Sequence, residues 1–376
     1  MKLSEKVNIL RPNTTSREFF ANSGGVKCVH YGDVYKNYSG KVIKSSTIIN
    51  NFSLPVASSK ILTCDAIIVP DVTETIEDWG HFVYIHYDGI PYTNGTHTFA
   101  LVSENSLELQ YLFFYLQSKN NRYRLQAFLN GSTVFQISLS NFYSFELDNY
   151  ENNINEQRHI VDLIGTLDDK IECNEKITEK FNEYLQAIYK IFVARAIDFE
   201  ILAKHIKKSG KKVNNGEWKN SQVVDLSTMP RNNVVINAFS SGENFSTNIL
   251  TLEENALLYG SIRPYFRKCG FTTDIDFVAG TIHSFKPINE NLFFWILATI
   301  SSEKFHQLTN TKSQGTKMPI ITFESFCDYQ LPLISQNYLN EFNSLITPLF
   351  EKVKVHMLEN RKLKKLKKLY LQKFFD

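Results

Sequence analysis

Gly131-Ser-Thr-Val-Phe-Gln-Ile-Ser-Leu-Ser-Asn-Phe142 returns without a gap as Gly315-Thr-Lys-Met-Pro-Ile-Ile-Thr-Phe-Glu-Ser-Phe326, an offset of 184 residues from Gly131 to Gly315. A duplicated segment in a 376-residue chain says that a structural unit has been used twice. The match runs on through Ile137 with Ile321, Leu139 with Phe323, Phe145 with Tyr329 and Leu147 with Leu331. That alternation predicts a half-buried strand, with each glycine as backbone punctuation before it. Upstream lie two aromatic helices, Tyr111-Leu-Phe-Phe-Tyr-Leu116 and Asn291-Leu-Phe-Phe-Trp-Ile296, and two buried strands, Asp65-Ala-Ile-Ile-Val69 and Asn255-Ala-Leu-Leu-Tyr259. Each unit reads as mixed strands, a helix and a final strand.

Both units are followed by helical periodicity. Ile160, Ile164, Leu167, Ile171, Asn174, Thr178, Phe181, Leu185, Ile188 and Phe192 fall at alternating four- and three-residue steps, a coiled-coil seam. Residues 182 further on repeat it as Phe342, Ile346, Leu349, Val353, His356, Asn360, Leu363, Lys367, Tyr370 and Phe374. Lys367 is the poor match, which a slip of the seam to Leu366 repairs. Helices of about 40 residues run roughly 60 Å and act as a spacer as well as a core. The expected fold is α+β: two repeated globular domains of mixed sheet and helices, separated by two long antiparallel coiled-coil helices with pseudo-two-fold symmetry.

The polar seam positions Asn174 and Thr178 recur as His356 and Asn360. Antiparallel packing puts Asn174 against Asn360 and Thr178 against His356, a buried polar layer that fixes register at some cost in stability. The other reading is that these are tolerated polar residues on a partly exposed seam.

Composition narrows the class. With 43% hydrophobic, 13% aromatic and 21% charged residues, each half has material for a core. The net charge of +2 demands no polyanionic partner, but basic residues cluster at Lys204, Lys207, Lys208, Lys211 and Lys212, and from Arg361 to Lys373. Such runs are either solvated faces or linkers, or nucleic-acid contacts. Five scattered cysteines without C-x-x-C spacing fit a reducing cytoplasm and no zinc site. No apolar signal core opens the chain, and the longest apolar run, Leu292 to Ile300, is half a membrane span, so a cytoplasmic protein without membrane contact is expected.

The stretch Asn155-Glu-Gln-Arg-His-Ile-Val-Asp-Leu-Ile-Gly-Thr-Leu-Asp-Asp-Lys-Ile-Glu-Cys-Asn-Glu-Lys-Ile177, continuing to Phe192, resembles the central conserved region of Type I restriction-modification specificity (S, HsdS) subunits. Ile346-Thr-Pro-Leu-Phe-Glu-Lys-Val353, Glu359-Asn360 and Leu371-Gln-Lys-Phe-Phe375 resemble the family's C-terminal conserved region. Gly25-Val-Lys-Cys-Val-His-Tyr-Gly-Asp-Val34 and Leu258-Tyr-Gly-Ser-Ile-Arg-Pro-Tyr-Phe-Arg-Lys268 resemble strands of its target-recognition domains. The resemblance implies a recognition domain over residues 1–152, a central helix over 153–202, a linker and second recognition domain over 203–334, and a C-terminal helix over 335–376. It implies a chain that binds double-stranded DNA and reads a bipartite, asymmetric target. Adenine methylation and restriction would be performed by partners: methyltransferase (M) subunits, expected to be two, and motor-nuclease (R) subunits. S-adenosylmethionine, ATP and magnesium would belong to those partners, with no cofactor in this chain.

The residues themselves offer no catalytic apparatus: no phosphate loop, no dinucleotide turn, no Asn-Pro-Pro-aromatic element and no H-E-x-x-H helix. Pro70-Asp-Val-Thr-Glu-Thr75 lacks the lysine of a nuclease motif, and nine dispersed histidines suggest no metal site. Reading DNA requires cations for phosphates and side chains that reach base edges. Arg263, Tyr265, Arg267 and Lys268, in a turn stiffened by Pro264, form the main candidate cluster; the bland reading is a surface hairpin with solvated charges. Lys312, Ser313, Gln314 and Lys317 form a second set. In the first unit the candidates are Tyr31, Lys36, Asn37, Tyr38 and Lys41, with Asn94 and His97 in a turn. Two other functions remain open: an interaction scaffold of the same architecture without useful DNA affinity, and an enzyme whose site is assembled without a motif.

Overall fold

The computed structural model describes residues 1–14, 17–21, 24–77, 79–214 and 216–376. Packing divides the chain into two units, Met1–Ile171 with Leu363–Asp376, and Glu172–Lys362, so each unit takes a piece of both long helices.

The first unit is built on a five-stranded sheet in the order Asn8–Leu10, Thr98–Val102, Ala66–Pro70, Val83–His86, Val42–Lys44. All neighbours are antiparallel except the last pair. Ala66–Pro70 is buried at every position because both faces of the sheet are covered. Its side chains alternate: Ile67 and Val69 join one core with Tyr84, Phe99 and Leu101, whereas Ala66 and Ile68 join another with Val83, Ile85 and Ala100. The helix Ser106–Gln117 fills the first of these cores and is capped by Asn105, which accepts from the Glu108 amide. A smaller sheet (Phe20–Ala21, Asn51–Phe52, Val26–Val29, Tyr92–Asn94) contains one parallel pair, Val26–Val29 with Tyr92–Asn94.

The second unit repeats this plan. Its main sheet runs Ile206–Lys208, Ile282–Pro287, Leu257–Gly260, Cys269–Gly270, and its smaller sheet again contains one parallel pair, Gln222–Val224 with Phe277–Ala279. Leu257 and Tyr259 face one core and Leu258 the other, the same pleat as in the first unit.

The long helices span Ile154–Val193 and Gln336–Phe375. In the second unit they pack antiparallel, with Phe192 and Phe342 ring centroids 5.7 Å apart, and Asn174 Nδ2 donating to Asn360 Oδ1 at 2.8 Å. Asn174 Nδ2 also donates to Glu359 at 2.8 Å, and His356 Nδ1 lies 3.4 Å from the same carboxylate oxygen, so His356 reaches the layer through Glu359, whereas Thr178 donates to the Glu175 carbonyl of its own helix.

Three expectations are corrected. The alternating stretch after each glycine is not a continuous strand, because Ser138 and Thr322 cap short helices, Leu139–Tyr143 and Phe323–Cys327. The central helix stops at Val193 and not at residue 202: Asp198–Ile201 is a strand paired antiparallel with Gln330–Leu333. The seam does not slip to Leu366, which is exposed; Lys367 stays on it because Asp168 takes its ammonium at 2.6 and 2.7 Å from the two carboxylate oxygens.

Candidate nucleic-acid interface

In both units the repeated glycine starts a tight loop closed by the same bridge, Asn130 with Gln136 and Gln314 with Ile320. Gly131 has φ +132°, and a β-carbon there would run into the Val134 carbonyl; Gly315 has φ +101°. The loop then pairs with the chain leaving the central strand: Phe135 with Thr73 in the first unit, and Ile262 with Ile320 in the second. Ile137 N donates to Asp71 O and Ile321 N to Ser261 O, so Asp71, Val72 and Thr73 occupy the places of Ser261, Ile262 and Arg263.

In the second unit this frame brings the two predicted clusters together. Arg263 N donates to Pro319 O at 2.7 Å, joining the Arg263–Lys268 turn to the Gln314–Ile320 loop. Pro264–Phe266 form one 3-10 turn, flanked by Arg263 and Arg267 at φ 51° and 54°, which turns Arg263 and Tyr265 outward. Arg263, Tyr265, Gln314 and Lys317 are exposed, and neither Arg263 nor Lys317 makes a salt bridge among the described residues. The other cations of the two clusters are engaged. Arg267 grips Glu303 at 2.7 and 2.9 Å, Lys268 donates to the Leu226 carbonyl, and Lys312 pairs with Asp328 at 2.8 Å. Burial, followed by the charge of Arg231, pushes the pKa of Lys268 down, and the Leu226 contact holds it in the fold. Arg231, which the sequence did not single out, is exposed and stacks on Phe266 with its guanidinium carbon 3.8 Å from the ring centroid.

In the first unit Tyr31, Lys36 and His97 line one open hollow of 620 Å³, together with Thr73, Glu74 and Val134. His97 sits at φ 61°, edge-on to Tyr31, with Nδ1 3.4 Å from Asp71. Burial raises the pKa of the Asp71 carboxyl, and His97 pulls it back. Lys36, Asn37 and Lys41 are exposed. Tyr38 and Asn94 are corrections: both are buried, Tyr38 accepting from the Ile49 amide through its hydroxyl and Asn94 donating to Thr98, so neither side chain can reach a ligand surface. Thr73, Thr75 and Val134 were missed because only the pairing of the glycine loop with residues 72 and 73 brings them to the hollow.

Among the described residues no group of three or more His, Cys, Asp or Glu could hold a metal ion, none of the five cysteines is in a disulfide, and no helix is long and apolar enough to cross a membrane.

Residues 1–183 match the sequence model of the Type I restriction modification DNA specificity domain. No curated protein is similar to the chain. The crystal structure of a Type I restriction-modification system S subunit from M. genitalium is 14% identical, superposes with a TM-score of 0.57, and is covered to 95% by 100% of this chain, a likeness of fold. An HsdS subunit from Thermoanaerobacter tengcongensis (12% identity, 94% of this chain, 91% of that one) and a structure from a study of type I R-M complex assembly (12%, 98% and 97%) superpose only at 0.31 and 0.33, too low to bear on the fold. Residues 1–183 are thus similar to the Type I restriction-modification DNA specificity domain, and the whole chain, with its domain-and-helix plan used twice, shares the fold of a Type I S subunit.

Proposed function

We propose that this chain reads a bipartite, asymmetric DNA target, one part with each globular unit, and catalyses nothing itself. The observation that carries this is the equivalence of the two frames. Where the second unit exposes Arg263 and Lys317, the first has Thr73, buried with its hydroxyl on the Thr75 backbone, and the exposed Thr133, so one scaffold offers a cationic, guanine-seeking surface in one unit and a surface without cations, beside Glu74, at the same places in the other. Two such surfaces favour different bases. Adenine methylation falls to methyltransferase subunits docked on this chain, two of them on the repeat argument, and restriction to motor-nuclease subunits; S-adenosylmethionine, ATP and magnesium belong to those partners.

The test is methylation mapping of DNA from cells that carry this chain with its methyltransferase partner, against cells from which the chain is deleted. Loss of adenine methylation at one split motif is the expected result. An unchanged methylome, with both proteins present, would refute the reading and favour a scaffold without DNA affinity.

A further inference from the structure

The segment that leaves the strand Gln222–Val224, from Asp225 to Asn233, brings a cation to the Arg263 turn from a separate part of the chain. Arg231 is exposed, and its guanidinium carbon lies 3.8 Å from the centroid of the Phe266 ring, the separation of stacked planes. Both sides of the stack are anchored. Asn232, the next residue, takes φ 53° and donates its amide to the Arg267 carbonyl, and its own carbonyl accepts from the Asn182 side chain on the long helix. Phe266 N donates to the Arg263 carbonyl, Tyr265 packs edge-on to Phe266 at 4.7 Å, and Arg267 is held by Glu303. The stack restricts the rotamers open to an exposed arginine, so the plane of the guanidinium is set before a ligand arrives.

An arginine can stack merely to cover an apolar ring, but the charges around this one oppose that role. The one carboxylate of the segment, Asp225, is buried and accepts from the Ser227 amide, so it serves its own turn and not Arg231. Arg231 stands instead beside another cation: after burial, its charge is what lowers the pKa of Lys268. The arginines that hold the fold are placed differently, Arg267 on Glu303 and Arg361 on the Asn237 and Thr273 oxygens. Two cations brought together at a solvent-facing stack repel each other, and an electron-rich partner relieves that repulsion.

We propose that Arg231 is a specificity-determining residue of the second recognition domain, the edge of its guanidinium donating to O6 and N7 of a guanine in the major groove. This deepens, and rests on, the DNA-reading function proposed above. Guanine presents two acceptors side by side, whereas adenine puts a donor in the place of O6, so a fork of two parallel N–H groups separates the two purines. Phe266 covers the face of the guanidinium and leaves its edge for the base, which makes Phe266 a positioning residue.

The experiment maps methylation directed by the chain with its methyltransferase partner, and measures binding of that complex to duplexes over a range of salt, for wild type, Arg231→Ala, Arg231→Lys and Phe266→Leu. For Arg231→Ala the expected result is loss of guanine preference at one position of the half-target read by the second domain, with other positions and the salt slope unchanged and cognate binding about 10- to 100-fold weaker. Arg231→Lys keeps the charge without the fork and should show most of the same loss. Phe266→Leu keeps an apolar side chain in the turn and should relax the same position to a smaller extent. Uniform weakening on all sequences, with a salt slope shallower by about 1 that lysine restores, would make Arg231 a phosphate contact and overturn the proposal. So would an unchanged motif in the Arg231 variants, a change at other positions, or a wild-type half-target without a G·C pair. A wild-type complex that directs methylation to no motif refutes the parent function, which separates that failure from this one.

Discussion

Replacing Lys367 by Met keeps most of its apolar stem and takes from the half-buried Asp168 carboxylate its bidentate partner on the helix seam. The two side chains are 16% and 18% exposed, the ammonium is bidentate at 2.6 and 2.7 Å, and the Phe114 ring lies 5.8 Å away. A solvent-exposed pair contributes up to about 1 kcal/mol, and breaking a fully buried one costs about 3–5 kcal/mol. With roughly five-sixths of each side chain out of water, we expect a loss of about 2–3 kcal/mol for Lys367→Met. Asp168→Leu combined with Lys367→Leu should return to within about 1 kcal/mol of wild type, because the double replacement leaves no buried charge. Amide hydrogen exchange of Leu163–Lys170 and Lys364–Leu371 reads the local opening free energy without assuming two-state unfolding of the whole chain. Singles that each cost under about 0.5 kcal/mol, with no coupling between them, would refute the reasoning and place the seam at Leu366.

Three further outcomes are expected. A double-mutant cycle on Asn174→Ala and Asn360→Ala should show about 1 kcal/mol of coupling in thermal unfolding, the net worth of their 2.8 Å hydrogen bond. Burial pushes the pKa of His306 down to about 4 from the ordinary 6.5, so the unfolded chain takes up its proton first. Stability is then full above pH 6.5 and falls by about 3 kcal/mol as the pH drops towards 4; His306→Gln should flatten that acid limb in urea unfolding. Arg361→Ala removes a guanidinium that donates to Asn237, Thr272 and the Thr273 carbonyl over the Phe239 ring, and should cost about 2 kcal/mol with faster exchange at residues 237–239 and 272–274.

The repeat, the strand cores, the antiparallel helices and the Asn174–Asn360 contact were legible because each depends on period and offset alone. The rest turns on partners distant in sequence. Lys367 looked misplaced on its seam because Asp168 stands 199 residues earlier. Tyr38 and Asn94 looked like surface hydrogen-bonders because polarity in a sequence does not say whether a backbone amide or Thr98 will meet it inside. The stretch from Ile137 to Leu147 alternates like a strand, yet Ser138 and Leu139 open a helix, since one capping hydroxyl outweighs a weak alternation. Asp225 carried only a turn signature, Asp-x-Ser-Thr, and the burial of its second oxygen is a property of the folded chain.

The cations of this chain are divided between holding the fold and facing outward, and the division bears on how DNA is held. Arg267, Lys268, Lys312, Arg361 and Lys367 all look available in the sequence, but they are bound to Glu303, the Leu226 carbonyl, Asp328, the Asn237 and Thr273 oxygens and Asp168. On the two candidate surfaces Arg231, Arg263, Lys317 and Lys36 remain exposed. If each neutralises one phosphate, the slope of log K against log salt for the chain alone is about −3 to −4. Under the function proposed above, affinity that is weakly salt-dependent and yet selective for bases fits a subunit whose grip on the backbone comes from a methyltransferase partner. The slope of the assembled complex should therefore be distinctly steeper than that of the chain alone in a titration of duplex DNA. A slope near −10 for the isolated chain would contradict this division, and would mean that the lysines between Lys362 and Lys373 lie against DNA instead of solvent.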